Sequence, residues 1–134
     1  MTSELPKAKP LNFKGVVSSI PQRRISQDTC GRYGVTVEYS STGEIEKHYY
    51  PYYDLSTGDL CAAKVREVKT KGFMSMGDVG NVGFFGQQQC NRNTFITITE
   101  GELDALAVYE MSGKNWDVVS LRSGASNAAK EIKA

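Results

Sequence analysis

The sequence predicts an α+β fold: an antiparallel β meander followed by a partial parallel α/β unit. Two observations predict it. Between Val35 and Val68, runs of strand-like residues are separated by two turn sequences, Ser41-Thr42-Gly43-Glu44 and Ser56-Thr57-Gly58-Asp59. That is the pattern of half-buried strands joined as hairpins. From Phe95 onward, strand-like and helix-like segments alternate, as a parallel α/β unit requires.

Residues 1–19 are expected to be a flexible leader, since Met1 to Lys14 is rich in proline and lysine and has no apolar period. Residues 20–93 then form one subdomain and residues 94–134 begin a second. Ser26 is placed to cap a short helix running through Tyr33, with Gly34 ending it. Val35, Val37 and Tyr39 alternate with polar residues in a first strand. Ile45 to Tyr53 forms a second, broken or kinked at Pro51. Leu60 to Val68 forms a third. There Cys61, Ala63, Val65 and Glu67 share one face, and Ala62, Lys64, Arg66 and Val68 share the other. Gly72 to Asn93 reads as a glycine-rich loop, anchored where Phe84-Phe85-Gly86 buries an aromatic. It lacks the GxxxxGK[ST] order of a P-loop, so no ATPase motor is encoded here.

The chain is organised around FITITEGELDALAV, from Phe95 to Val108. Phe95 to Thr99 is a continuous β-branched and aromatic run, as a buried strand needs. Leu103, Leu106 and Ala107 then recur at helical spacing. Glu100 therefore stands at the carboxyl end of a strand where a helix begins, the edge at which open α/β sheets bind ligands. Gly101 allows the sharp turn, and Glu102 and Asp104 suit the helix dipole. A second strand, Trp116 to Leu121, leads through Arg122-Ser123-Gly124-Ala125-Ser126-Asn127 into a second helix start. On residue pattern alone this is an ordinary strand–turn–helix repeat, with Glu100 capping or bracing its helix.

ITEGELDALAVYE followed by VVSLRSGASNAAKEI resembles the first half of a TOPRIM domain. The version it resembles is that of the bifunctional primase–helicases of short-tailed phages and their mitochondrial relative Twinkle. RRISQDTCGRYGV, AAKVREVKTKGF and GFFGQQ extend the likeness upstream. The resemblance implies the polymerase domain of a DNA primase, making RNA primers on a single-stranded DNA template from ribonucleoside triphosphates. It implies Mg²⁺ (or Mn²⁺) held by Glu100 as metal ligand or catalytic base, with Gly101, Glu102 and Asp104 in support. It also implies partnership with a helicase domain and its hexamer, in the cytoplasm of an infected bacterial host. The family's Asp-x-Asp pair after the third strand does not occur after Glu100, and the sequence stops at Ala134. The chain alone is therefore expected to make no primers.

The other candidate site residues come from charge. Lys64, Arg66, Lys69 and Lys71 form the one dense basic cluster. Two readings stand: a solvated strand edge, where lysine discourages aggregation, or a track for the phosphates of nucleotide or template. The resemblance favours the track, with Lys64 and Arg66 matching best. Gly124 and Ser126 are candidates to meet phosphate at the start of the last helix. Tyr49, Tyr50, Tyr52 and Tyr53 are either a stacking platform for bases or, more in keeping with tyrosine in strands, packing residues with wet hydroxyls.

Composition excludes more than it assigns. The net charge of +1 gives no global basic field, so any nucleic-acid binding is local. Cys30, Cys61 and Cys90 are widely spaced, with no C-x-x-C pair for a zinc ribbon, and are expected to be reduced thiols. His48 is the only histidine and is expected to be structural or exposed. No apolar run approaches the roughly 20 residues of a membrane span. The alternative to an enzyme fragment is a non-catalytic nucleic-acid-binding module or a decayed gene fragment. Topoisomerase-like or nuclease use of the same fold ranks last.

Overall fold

The computed structural model describes residues 15–77, 82–90 and 95–122. After a 3-10 turn at Pro21–Arg23, helix α1 (Gln27–Tyr33) opens where predicted. The Ser26 side chain accepts from the Thr29 amide, and Gly34 closes the helix at φ 76°. Glu110 reinforces this start from elsewhere in the chain. Its Oε1 accepts from the Ser26 amide at 2.6 Å and the Thr29 hydroxyl at 2.7 Å.

Strands β1 (Thr36–Tyr39), β2 (Ile45–Tyr53), β3 (Leu60–Glu67) and β4 (Phe73–Gly77) form an antiparallel sheet in that order. Three departures from expectation have physical causes. Pro51 does not break β2: it pairs with Ala63 of β3, while the β1 ladder already ends at Thr36–Tyr49. At Pro51 only β3 lies alongside, and a missing N–H on the open side costs no ladder bond. Next, β3 ends at Glu67, because the Glu67 amide bonds back to the Gly72 carbonyl and closes a turn. The basic residues after Val68 therefore do not continue a strand. Finally, the start of the expected glycine-rich loop is β4, whose Phe73, Met74, Ser75 and Met76 pair with Arg66, Val65, Lys64 and Ala63. Gly77 ends it at φ 76°, where a Cβ would collide with the Cys61 carbonyl.

Strands β5 (Ile96–Thr99) and β6 (Asp117–Ser120) pair in parallel, Ile96 opposite Asp117 and Thr99 opposite Ser120, with α2 (Glu102–Met111) between them. This is the predicted strand–helix–strand unit. However, β5 is not buried as its apolar run suggested. Phe95, Ile96 and Ile98 are exposed, while β6 is buried throughout. The buried stripe of α2 also differs: Glu102, Ala105, Leu106 and Tyr109 face inward, rather than Leu103, Leu106 and Ala107. The spacing remains helical, but a carboxylate occupies its first position.

One core joins the two sheets, with Phe85 at its centre. Its backbone bridges to Ser120 of β6, and its ring lies 5.4 Å from Tyr33, 5.8 Å from Tyr50 and 6.0 Å from Tyr52. The predicted aromatic anchor is thus the contact between the meander and the parallel unit. Tyr33 adds a hydrogen bond from its hydroxyl to the Val118 carbonyl at 2.7 Å. Among the described residues no helix is long and apolar enough to cross a membrane.

Candidate nucleic-acid interface

The site is built where β3 faces the start of α2. Glu102 is the first residue of α2 and only 3% exposed. A carboxylate so buried requires partners. Lys64 of β3 supplies one, with Nζ 2.7 Å from Glu102 Oε2, and the Tyr52 hydroxyl donates to the same oxygen at 2.5 Å. Lys64 Nζ also donates to the Arg122 carbonyl at 2.7 Å, just past β6. One ammonium group therefore ties β3 to the start of α2 and to the chain just past β6.

Beside this pair lies a cleft of about 260 Å³, lined by Arg23, Tyr50, Arg66, Phe73 and the α2 start from Gly101 to Asp104. A second cleft of about 230 Å³ shares Arg23 and Arg66 and adds His48 and Lys71. Neither Arg23, Arg66 nor Lys71 makes an ion pair among the described residues. The two neighbouring clefts thus carry three cations without an ion pair among the described residues, whereas Lys64 is paired with Glu102. Gly101, the N-cap of α2, offers no side chain to the helix amides, so the helix start opens onto the cleft.

The floor is a packed hydrogen-bonded layer. His48 Nδ1 and the Tyr50 hydroxyl lie 2.9 Å apart, both buried. Burial first, then the Arg66 and Arg23 guanidiniums, hold the His48 imidazole down at about 4, so it is neutral at pH 7. Burial likewise pushes the Tyr50 phenol up. Tyr49, Tyr50 and Tyr52 of β2 are buried packing residues whose hydroxyls are bonded, Tyr50 to His48, Tyr52 to Glu102 and Tyr49 to Glu38 at 3.3 Å, while Tyr53 is half-buried. Cys30, Cys61 and Cys90 are free thiols, and burial raises Cys30 to about 12 and Cys90 to about 11.

The structure divides the candidate residues. Lys64, Arg66, Gly101, Glu102 and Asp104 converge on one place. Lys71 joins them through the second cleft. Lys69 does not; it lines a separate cleft of about 630 Å³ beside the β1–β2 turn, with Glu44 and Glu46. Glu100 stands exposed at the end of β5 and is not among the cleft residues, which begin at Gly101. Gly124 and Ser126 lie outside the described residues. No group of three histidine, cysteine or acidic residues among the described ones is arranged to hold a metal ion. Glu102 is already engaged, so Glu100 and Asp104 offer at most part of a Mg²⁺ shell. Sequence reasoning missed Arg23 and Phe73. The available signals were the Arg23-Arg24 doublet ahead of the helix cap, and the strand period across Phe73 to Gly77.

Two solved structures share this architecture. The primase fragment of the bacteriophage T7 primase-helicase protein superposes with a TM-score of 0.76 at 34% identity, covering 87% of this chain and 47% of that one. A second describes the T7 lagging-strand DNA polymerase interacting with primase domains of two subunits bound to an RNA/DNA hybrid and dTTP. It matches with a TM-score of 0.74 at 34% identity, over 87% of this chain and 58% of that one. The chain belongs with the primase domains of phage primase–helicases. In sequence, a DNA helicase/primase of Enterobacteria phage T3 is 32% identical over 137 residues, 95% of this chain. The chain spans 23% of that protein's length. No family model matches.

Proposed function

We propose that the chain is the start of the polymerase domain of a phage DNA primase, its strand–helix–strand unit from Ile96 being the first half of a TOPRIM domain. It takes part in joining ribonucleotides on a single-stranded DNA template. The observation that carries this reading is the cleft at the α2 start. Two cations without an ion pair among the described residues, Arg23 and Arg66, line it together with the start of α2, and Lys71 lines the neighbouring cleft that shares them, in a chain with the fold and about a third of the residues of phage primases. Arg23, Arg66 and Lys71 bind phosphate oxygens. Lys64 holds the α2 start against β3 through Glu102, and so fixes the distance between the basic strand and Glu100. Mg²⁺ or Mn²⁺ at Glu100, with substrate phosphates and water completing its shell, belongs to the same proposal, as does association with a helicase domain.

Two experiments test it. Arg23→Ala/Arg66→Ala should weaken single-stranded DNA binding and flatten its salt dependence, since fewer counterions are released when phosphate contacts are lost. An unchanged slope would make the cluster a solvated edge. In a polypeptide joining this chain to the rest of a primase–helicase, Glu100→Gln should end template-directed dinucleotide synthesis while DNA binding persists. Full synthesis would show that the carboxylate is the wrong one.

The engagement of Glu102 by Lys64 and Tyr52 favours one other reading, a binding module without catalysis. DNA binding without synthesis in the wild-type joined polypeptide would select it.

A further inference from the structure

Phe73 is the residue the proposed function leaves unexplained. It begins the edge strand β4, yet its side chain is 56% exposed, while the rings of Tyr33, Tyr50, Tyr52 and Phe85 are fully buried. Of the other exposed aromatics, Phe95 and Trp116 line none of the clefts described above, and Tyr39 lines only the separate cleft beside the β1–β2 turn, where its hydroxyl meets that of Ser18 and no cation lies over its ring. Phe73 lines the cleft at the α2 start, and two cations approach its ring. Lys64 Nζ lies 5.2 Å from the ring centroid and Arg66 Cζ lies 6.0 Å from it. Among the described residues it is the one exposed aromatic in such contact; the remaining pair places Arg32 over the buried Tyr109.

An exposed phenyl in a cleft has two requirements to serve a polymer of phosphates and bases. It needs exposed ring surface, and cations within one nucleotide's reach of it. More than half of Phe73 is exposed, and Arg66 and Arg23 line the same cleft. Stacking on an aromatic is tolerant of base identity, because every base has a π face, and neighbouring cations take the phosphates. The alternative is that Phe73 only shields the Lys64–Glu102 pair from water, a task any bulky apolar side chain performs.

Resting on the nucleic-acid reading above, we infer that Phe73 is a nucleobase-stacking residue that seats one base of bound nucleotide or single strand in the cleft, beside phosphates held by Arg66 and Arg23. Of the β2 tyrosines, which the sequence offered as a platform, Tyr50 alone lines this cleft, and its ring is fully buried.

The test separates bases from phosphates. Binding is measured for a thymidine decamer and for an abasic decamer of equal length, with wild type, Phe73→Leu and Phe73→Trp. The leucine variant keeps the apolar cover and removes the π face. Wild type and Phe73→Trp should prefer the thymidine decamer by roughly tenfold. Phe73→Leu should lose that preference while binding the abasic decamer as wild type does. In a Trp116→Phe background, the single tryptophan of Phe73→Trp should be quenched by the thymidine decamer and not by the abasic one. Quenching by a nucleoside triphosphate as well would place the base of an incoming nucleotide there; quenching by the decamer alone would place a base of the strand. Equal binding of both decamers by wild type, or a preference retained in Phe73→Leu, overturns the stacking role and leaves the nucleic-acid reading intact. Binding of neither decamer overturns both.

Discussion

Lys64→Met isolates the contact on which the site depends. Glu102 is almost wholly buried and Lys64 is its only cationic partner in an ion pair among the described residues. Removing one member of a buried pair leaves an uncompensated charge, at a cost of about 3–5 kcal/mol. The Tyr52 hydroxyl still donates to Glu102, which favours the lower end of that range. The bond from Lys64 to the Arg122 carbonyl is lost too, a net contribution of about 1 kcal/mol. The expected destabilisation is therefore about 3–4 kcal/mol, a large fraction of the roughly 5–15 kcal/mol that holds a domain folded. Lys64→Met/Glu102→Leu, which removes both charges, should cost less than the single change. Urea unfolding of wild type, both single variants and the double variant at pH 7 gives the coupling directly. A Lys64→Met cost below about 1 kcal/mol, or strict additivity in the cycle, would refute the buried pair. The outcome also decides how DNA-binding data are read. If Lys64 is structural, its loss weakens binding by loosening the α2 start, and Arg23 and Arg66 are the residues whose loss reports on phosphate.

Two further outcomes follow from the packing. His48 is held at about 4 against an ordinary 6.5, so the unfolded chain takes up a proton more readily than the folded one. Its contribution is fully present above pH 6.5 and is lost as pH falls toward 4, a difference worth about 3 kcal/mol; His48→Gln should flatten that part of the wild-type stability profile, and parallel profiles would refute it. Gly86 has φ 84°, and a Cβ there would strike the Tyr33 ring and lie 3.2 Å from the Val118 carbonyl. Gly86→Ala should cost about 2 kcal/mol or more in a thermal or urea melt, and an unchanged midpoint would mean that the core yields at this point.

Local signals were enough for much of the chain. Ser26 and Gly34 bound α1 because capping is chemistry between residues three or four apart. The turns at Ser41–Glu44 and Ser56–Asp59 delimit the hairpins, and the strand–helix–strand order after Phe95 required a parallel pair. Of the residues the resemblance pointed to, Lys64, Arg66, Glu102 and Asp104 converge, while Glu100, its principal acid, is exposed and not among the cleft residues.

What the sequence left open were questions about partners distant in the chain. Period alone does not say which side of β5 is covered, so its apolar run read as buried while Phe95, Ile96 and Ile98 are exposed. Nor does it say that Glu102 turns inward: a carboxylate at a helix start normally faces solvent, and only Lys64, 38 positions earlier, and Tyr52 make its burial tolerable. Lys69 and Lys71 look alike in sequence, but the turn that closes between Glu67 and Gly72 sends them to different clefts. Cap and turn chemistry is carried by adjacent residues and can be read in one dimension. Burial of charge, and the choice of which cation is held in an ion pair, depends on what packs across the sheet, and that is decided only when the two sheets close around Phe85.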